Sequence, residues 1–306
     1  MTPCAINDRG QIVGHMWTGT GNHLFLWERA SGMHDLGPVA LAPSTLTAAD
    51  INNAGQIVAT MFDPNGLTCA FLQDADGPRQ PLPTPRGTPS TAVAINDSGQ
   101  VAGTISSSTG VFHAFFWDRT NGMRDLGEGR ALGINNAGQV LVATAPGGRL
   151  IDANGDSTGT AIPLTIWGGR SIINNNGWVI GYSVTSTKPK LVTWHAGSPV
   201  VGSTLMSRMA RGYTINDANQ VLFATERLAR YKVWGRPLLP YRVRCYLQDP
   251  TRGLVPLERY VRPGPDEFFY PVALNNKGCI VLSCRRKSSE PYRAMLLEPI
   301  PERWGK

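Results

Sequence analysis

The side chains best suited to chemistry in this sequence are few and scattered. Five histidines, His15, His23, His34, His113 and His195, fall in separate segments. No two are spaced to share a metal or serve one nucleophile, and packing within strands accounts for them. Five cysteines, Cys4, Cys69, Cys245, Cys279 and Cys284, form no CxxC pair of the kind that holds zinc. They are expected as free, mostly buried thiols, with a bridge from Cys4 to Cys279 or Cys284 as the alternative. The stretch "DANGDSTG" (152–159) has the Asp152, Asn154, Asp156 spacing of a calcium loop. It lacks glycine at the sixth loop position, and Pro163 stands where a bidentate glutamate belongs, so no metal is expected. No catalytic residue is assigned on these grounds, and no cofactor is expected.

Charge is the sharper signal. The chain carries a net +7, and all of that excess lies between Arg208 and Arg262, because the remaining residues balance. This segment contains Arg227, Arg230, Lys232, Arg236 and Arg262 interleaved with Tyr231, Trp234 and Tyr241. Arginines among large aromatics are the residues from which interface anchors are made. The composition therefore points to an acidic protein partner. Two alternatives stay open: nucleic acid, with phosphates neutralised and bases stacked, and a solvated loop whose arginines lie along its own aromatics.

The elements that would position these residues come from a repeat. "AINDRGQIVG" (5–14) returns as "DINNAGQIVA" (50–59), "AINDSGQVAG" (94–103), "GINNAGQVLV" (133–142), "IINNNGWVIG" (172–181), "TINDANQVLF" (214–223) and "ALNNKGCIVL" (273–282). Each copy divides into four strands, here termed A to D. Strand A ends in the Ile-Asn pair, and strand B is "GQVAG" or its equivalent. Strand C is "HLFLWE" (23–28), "HAFFWD" (113–118) or a relative. Strand D is "MHDLG" (33–37), "MRDLG" (123–127) or a weaker match such as "AIPLT" (161–165). The asparagines Asn7, Asn52, Asn96, Asn135, Asn174, Asn216 and Asn275 read as residues of a tight A–B turn, followed by a glycine that supplies positive φ. Copies of about 40 residues with four strands each predict an all-β, seven-bladed β-propeller with four antiparallel strands per blade. The expected division is one domain, 1–306, with blades near 1–40, 41–85, 86–128, 129–168, 169–205, 206–262 and 263–306. With no strand left over to hand across, the ring is expected to close by packing between its end blades.

The full pattern, Ile-Asn-[Asn/Asp]-x-Gly-Gln, then His113-Ala114-Phe115 (His23-Leu24-Phe25 in the first copy), then Gly-Met-x-Asp-Leu-Gly, resembles the bacterial HAF repeat. The resemblance runs along the whole chain and is strongest in copies one and three. It implies a propeller-like repeat protein, often of exported bacterial proteins, and supplies no catalytic residues.

In such a ring the B–C loops and D–A connections share one face. The sixth copy has a long B–C loop, "ERLARYKVWGRPLLP" (226–240), and a long D–A connection, "VRPGPDEFFY" (261–270). Both insertions of one blade thus meet on one face. Asp50 is the other position of note, because the equivalents are Ala5, Ala94, Gly133, Ile172, Thr214 and Ala273. A carboxylate there would face the central channel, as a solvated residue in the first instance. The expected function is a non-catalytic binding protein presenting the basic surface of blade six to an acidic protein, in one version a cognate toxin that it neutralises. The alternatives are a glycan hydrolase or lyase at the channel mouth, which would need a second acid beside Asp50, and nucleic-acid binding. No apolar run approaches the roughly 18 residues of a membrane-spanning helix, so no membrane partner is expected. No leader follows Met1, which reads as a cytoplasmic protein or a trimmed exported one, monomeric on its own.

Overall fold

The turn at the end of strand A folds every repeat back on itself. Gly10, Gly55, Gly99, Gly138, Gly177 and Gly278 take φ between 75° and 85°, and Asn219 fills the place in the sixth repeat at 58°. Asparagine tolerates that region better than other side chains do. The computed structural model describes all residues except 41–48, 76, 86, 108, 145–146, 157–160, 163, 166–171, 184–190, 196–197, 201–209, 228–231, 234–235, 238–241, 262–267, 286–291 and 300–306. Strands of two to nine residues follow.

These strands form antiparallel sheets in chain order, the arrangement of an all-β propeller. Among the described residues five sheets have four strands and two have three, so the expectation of four strands in each of seven blades is not met throughout. The first sheet is Thr2–Ile6, Ile12–Trp17, Asn22–Glu28 and Gly32–Ala40. The last has Phe268–Leu274, Ile280–Arg285 and Arg293–Leu297, and most of the segment expected as its fourth strand lies outside the described residues. One expected strand is reassigned. Leu164 and Thr165, read as strand D of the fourth copy, pair with Ser183 and Tyr182 of the next sheet. Only an isolated bridge joins Ile162 to Gly148 of the fourth. Pro163 has no N–H with which to continue that ladder. The helical content of the described residues is one 3-10 turn, Leu257–Arg259.

Neighbouring sheets bury their faces against each other. Val13, Leu24 and Leu26 of the first repeat pack on Ile51, Ile57 and Phe71 of the second, and similar clusters follow around the ring. The seam between last and first is filled by Ala273 and Val281 against Ile6, Ile12 and Phe25. Phe25 and Phe115 lie fully buried across from Gly14 and Gly103. A Cβ on Gly103 would overlap the Phe115 ring and the Thr91 carbonyl, which is why the pattern keeps glycine there. Strand A carries a bulge in five repeats, for instance between Pro3 and Ala5 and between Ala131 and Gly133, adding twist next to the channel.

The turn asparagines do more than close hairpins. Asn7 Oδ1 accepts the amides of Arg9 and Gln11, each at 3.0 Å, while its Nδ2 donates to Gln11 Oε1 at 2.6 Å and to the Asn52 carbonyl at 2.9 Å. Asn52 donates likewise to the Asn96 carbonyl, Asn96 to Asn135, Asn135 to Asn174, Asn174 to Asn216, Asn216 to Asn275, and Asn275 back to Asn7, at 2.9–3.4 Å. The circuit is closed and runs in one direction. All seven side chains are buried. Closure therefore has hydrogen bonds as well as the expected packing.

Three of the turns are also tied to their own strand C through the glutamine. Gln11 donates to Glu28, Gln56 to Asp74 at 2.8 Å and Gln220 to Asp249 at 2.7 Å. In the fifth repeat Trp178 replaces the glutamine and stacks on His195, ring centres 5.0 Å apart. Asp249 is buried, and desolvation alone would raise its pKa. Gln220, the Thr251 hydroxyl and the Thr251 and Arg252 amides outweigh that and hold it at about 2.

Replacing Asn96 with alanine strands two acceptors and two amide donors in the buried circuit, and should cost about 3 kcal/mol in urea denaturation. Asp249 is stabilising above its unfolded pKa near 3.8, and that contribution is lost as pH falls through about 2. Asp249→Asn should therefore melt below the parent at pH 6, with the gap closing toward pH 2.

Candidate functional site

The inner strands surround a cavity of about 370 Å³ lined from Cys4–Asp8 and Ala49–Asn53 round to Leu274–Asn276. Its mouth on the turn face is a second closed circuit. The amide of Asp8 donates to Asn53 Oδ1, Asn53 to Asp97, Asp97 to Asn136, Asn136 to Asn175, Asn175 to Asp217, Asp217 to Asn276 and Asn276 to Asp8, all at 2.7–3.0 Å. Three carboxylates and four carboxamides share this ring, and no two carboxylates are neighbours. Asn53 Nδ2 bridges Asp8 and Asp97 at 3.1 and 3.2 Å, and Asn136 Nδ2 reaches Asp97 at 2.9 Å. The choice of Asn or Asp after the turn asparagine, which looked interchangeable in the sequence, is thus set by the neighbouring repeat.

Asp50 lines the cavity, as its position in strand A predicts. Its carboxylate accepts the Ile51 amide at 3.0 Å and, from the next inner strand, the Ile95 amide at 3.0 Å. Inner strands have one edge toward the channel, whose amides lack a ladder partner; Asp50 supplies one for Ile95. Its part is to join two repeats.

The other sequence candidates resolve differently. His23 and His113 are half-buried in their strands, and each makes a polar pair beyond the packing expected of it. His23 Nδ1 lies 2.9 Å from Asp35 and His113 Nδ1 2.8 Å from Asp125, so the His of strand C pairs with the Asp of "DLG". Burial works to raise the Asp35 pKa, but the Gly37 amide, His23 and Arg79 bring it below the usual value. Gly37 and Gly127 take φ of 93° and 86°, which turns this stretch toward an arginine of the next repeat. Arg79 donates to the carbonyls of Leu36 (2.5 Å), Gly37 (3.1 Å) and Pro38 (2.6 Å), and Arg149 to Glu128 at 3.2 Å. Only His15 is buried; His34 reaches Ser31 at 2.7 Å. None of the five cysteines forms a disulfide, and burial raises the thiol pKa of Cys69, Cys245 and Cys279, making them poor nucleophiles. Asp152 of the calcium-like stretch caps a turn through the Asn154 and Asp156 amides, both at 2.9 Å, as Asp63 does with Asn65 and Leu67.

The basic insertion is described in part. Arg227 ends the strand Val221–Arg227, directly opposite Arg242. Beyond it Lys232 pairs with Pro237 and Val233 with Arg236, a two-stranded ladder separate from the blade. For Arg227, Lys232 and Arg236 the backbone alone is described, and Arg230, Tyr231, Trp234, Tyr241 and Arg262 lie outside the described residues.

Sheets, turns and channel together make this a β-propeller. The solved structures agree. The β-propeller domain of the Trilobed protease from Pyrococcus furiosus, described as having an open velcro topology, aligns over 98% of this chain and 96% of its own, with TM-score 0.62 and 9% identity. Pyrococcus horikoshii acylaminoacyl peptidase aligns over 97% with TM-score 0.64 and 8% identity, and this chain spans 50% of it, half its length. Puromycin hydrolase aligns over 97% of the chain and 52% of its own, with TM-score 0.57 and 14% identity. At such identities the likeness concerns the fold alone. No protein-family model matches the chain, and no curated protein does.

Replacing Asn53 with aspartate would set three carboxylates side by side at the mouth, at positions 8, 53 and 97. Their repulsion raises the new carboxyl's pKa, so the cost is full above it and shrinks as the group protonates. The variant should lose stability against the parent at pH 7, by about 1–2 kcal/mol, and recover most of the difference by pH 4, as read by thermal melts.

Proposed function

We propose that this protein is a seven-bladed propeller of the HAF-repeat kind that serves as a binding scaffold, with the excursion of the sixth repeat as its contact for an acidic protein. The seven-membered asparagine circuit supports the blade count. Pairing of the HAF histidine with the "DLG" aspartate in both well-matched copies supports treating those motifs as one unit.

One observation carries the binding reading. The excursion leaves the blade between two arginines at directly opposed register positions, Arg227 and Arg242, then forms its own ladder with Lys232 and Arg236 in it. Like charges opposite each other weaken a strand pair. Carboxylates of a partner answer the charges that the sequence places at these positions. Asp50, on which a channel-mouth enzyme would depend, has its carboxylate engaged by two backbone amides, and this favours the binding reading. A cognate toxin is one form the acidic partner takes in this proposal.

The third repeat shows what a minimal B–C connection looks like: Ser107 and Val111 close it with a 2.8 Å bond, and Gly110 donates to the Ser107 carbonyl at 3.0 Å. Grafting residues 107–110 in place of 228–241 should leave the melting temperature within a few degrees and abolish recovery of the partner from host extract on immobilised protein. Undiminished recovery by the graft would refute the assignment.

A further inference from the structure

Six of the seven described arginines of the first four repeats are engaged within the ring itself. Arg79 and Arg149 bond carbonyls of the preceding repeat, Arg29 pairs with Glu298 and Arg119 with Asp74, Arg9 bonds Gln11, and Arg130 lies over the Phe112 ring. Three exposed arginines of repeats six and seven on the B–C and D–A face are otherwise. Arg244, near the start of strand C in repeat six, is exposed; so is Arg259, after strand D of that repeat, and Arg293, which heads strand C of repeat seven. None of these three has a carboxylate partner among the described residues.

Large aromatics accompany them on the same face. Tyr260 follows Arg259 and is 45% exposed. Tyr292 precedes Arg293, is 36% exposed, and has the Arg285 guanidinium 5.0 Å from its ring centre. Trp17, 48% exposed, ends strand B of the first repeat, next to Met16, which packs into the seam with the last repeat. By their places in the strands, all these residues sit at the B–C or D–A ends of three consecutive repeats, six, seven and one. Exposed Trp and Tyr beside unpaired arginine is the composition of interface hot spots.

We infer that the docking surface is an arc running from Arg244, Arg259 and Tyr260 over Tyr292 and Arg293 to Trp17, and that its occupant is an acidic, extended segment of a partner protein. The inference rests on the binding reading above and widens it from one repeat to three. Charge selects the occupant: the arc presents guanidinium groups, and carboxylates with intervening apolar side chains answer both its charges and its rings. Nucleic acid is disfavoured because the positive excess is confined to 208–262 and the rest of the chain is balanced, whereas backbone binding draws on a broad basic field.

The test uses the intact protein and a fluorescein-labelled, 16-residue Glu-rich peptide carrying one Trp, read by anisotropy at low salt, with labelled oligo-dT in parallel. The peptide should bind, and binding should weaken as salt rises. Arg244→Glu with Arg293→Glu should weaken it at least about tenfold, and Trp17→Ala about threefold; all three positions are exposed, and unchanged melting curves confirm the fold. Graft and arc variants separate the two proposals. Loss in the graft with no change in the arc variants overturns the arc and keeps the excursion. Loss in the arc variants with an unchanged graft keeps the arc and refutes the excursion. Failure of the peptide to bind, or tighter binding of oligo-dT, overturns the arc.

Discussion

The structure depends on what one primary carboxamide can do in a buried turn. Each turn asparagine accepts one or two amides from its own hairpin and donates one proton forward to the next repeat. No other side chain fits these duties. Aspartate has the acceptors but would set a carboxylate against a carbonyl, and alanine would strip every partner of its buried hydrogen bond. Because the forward bond ends on a backbone carbonyl, it fixes the spacing of the inner strands, and the sheets pack at the separation this allows.

Polarity elsewhere follows the same economy. A carboxylate at the mouth is always flanked by carboxamides, so each has donors on both sides or from its own repeat, and none faces another charge. In the fifth repeat, which departs from the pattern, the substitute is again a matched pair: Trp178 on His195 does by stacking what Gln220 with Asp249 does by hydrogen bonding. Rim contacts are less uniform. His23 with Asp35 and Arg79 with the following carbonyls recur as a set in the third and fourth repeats, and the other junctions use individual ion pairs or apolar packing.

The strand pattern, the positive-φ turn, the unbridged cysteines and the channel position of Asp50 were legible in the sequence because each is a local property with a short-range signature. The asparagine circuit was not, because its bonds join residues 39 to 45 apart over most of the ring and 268 apart at closure, and a turn asparagine reads the same with or without them. A signal for the rim pairs was present: the HAF histidine and the "DLG" aspartate appear together in copies one and three and fail together elsewhere. Leu164 and Thr165 were misassigned because an apolar dipeptide between two repeats matches either neighbour, and only Pro163 hints at the break. Packing was too ready an account of the histidines, since four of the five lie partly or largely in solvent.

All the closed circuits lie at one end of the strands. The opposite end, where strand B gives way to strand C, carries none of them, and lengthening a connection there from four residues to fourteen adds only about 1 kcal/mol of closure entropy. The molecule therefore bears mutation unevenly: substitutions in the turn ends break buried bonds, while a longer connection at the far end costs little. The sixth repeat is the one where such growth was retained, and the remaining connections offer equivalent places, spaced around a rigid hoop, at which a recognition segment grafted by design would meet the same low cost.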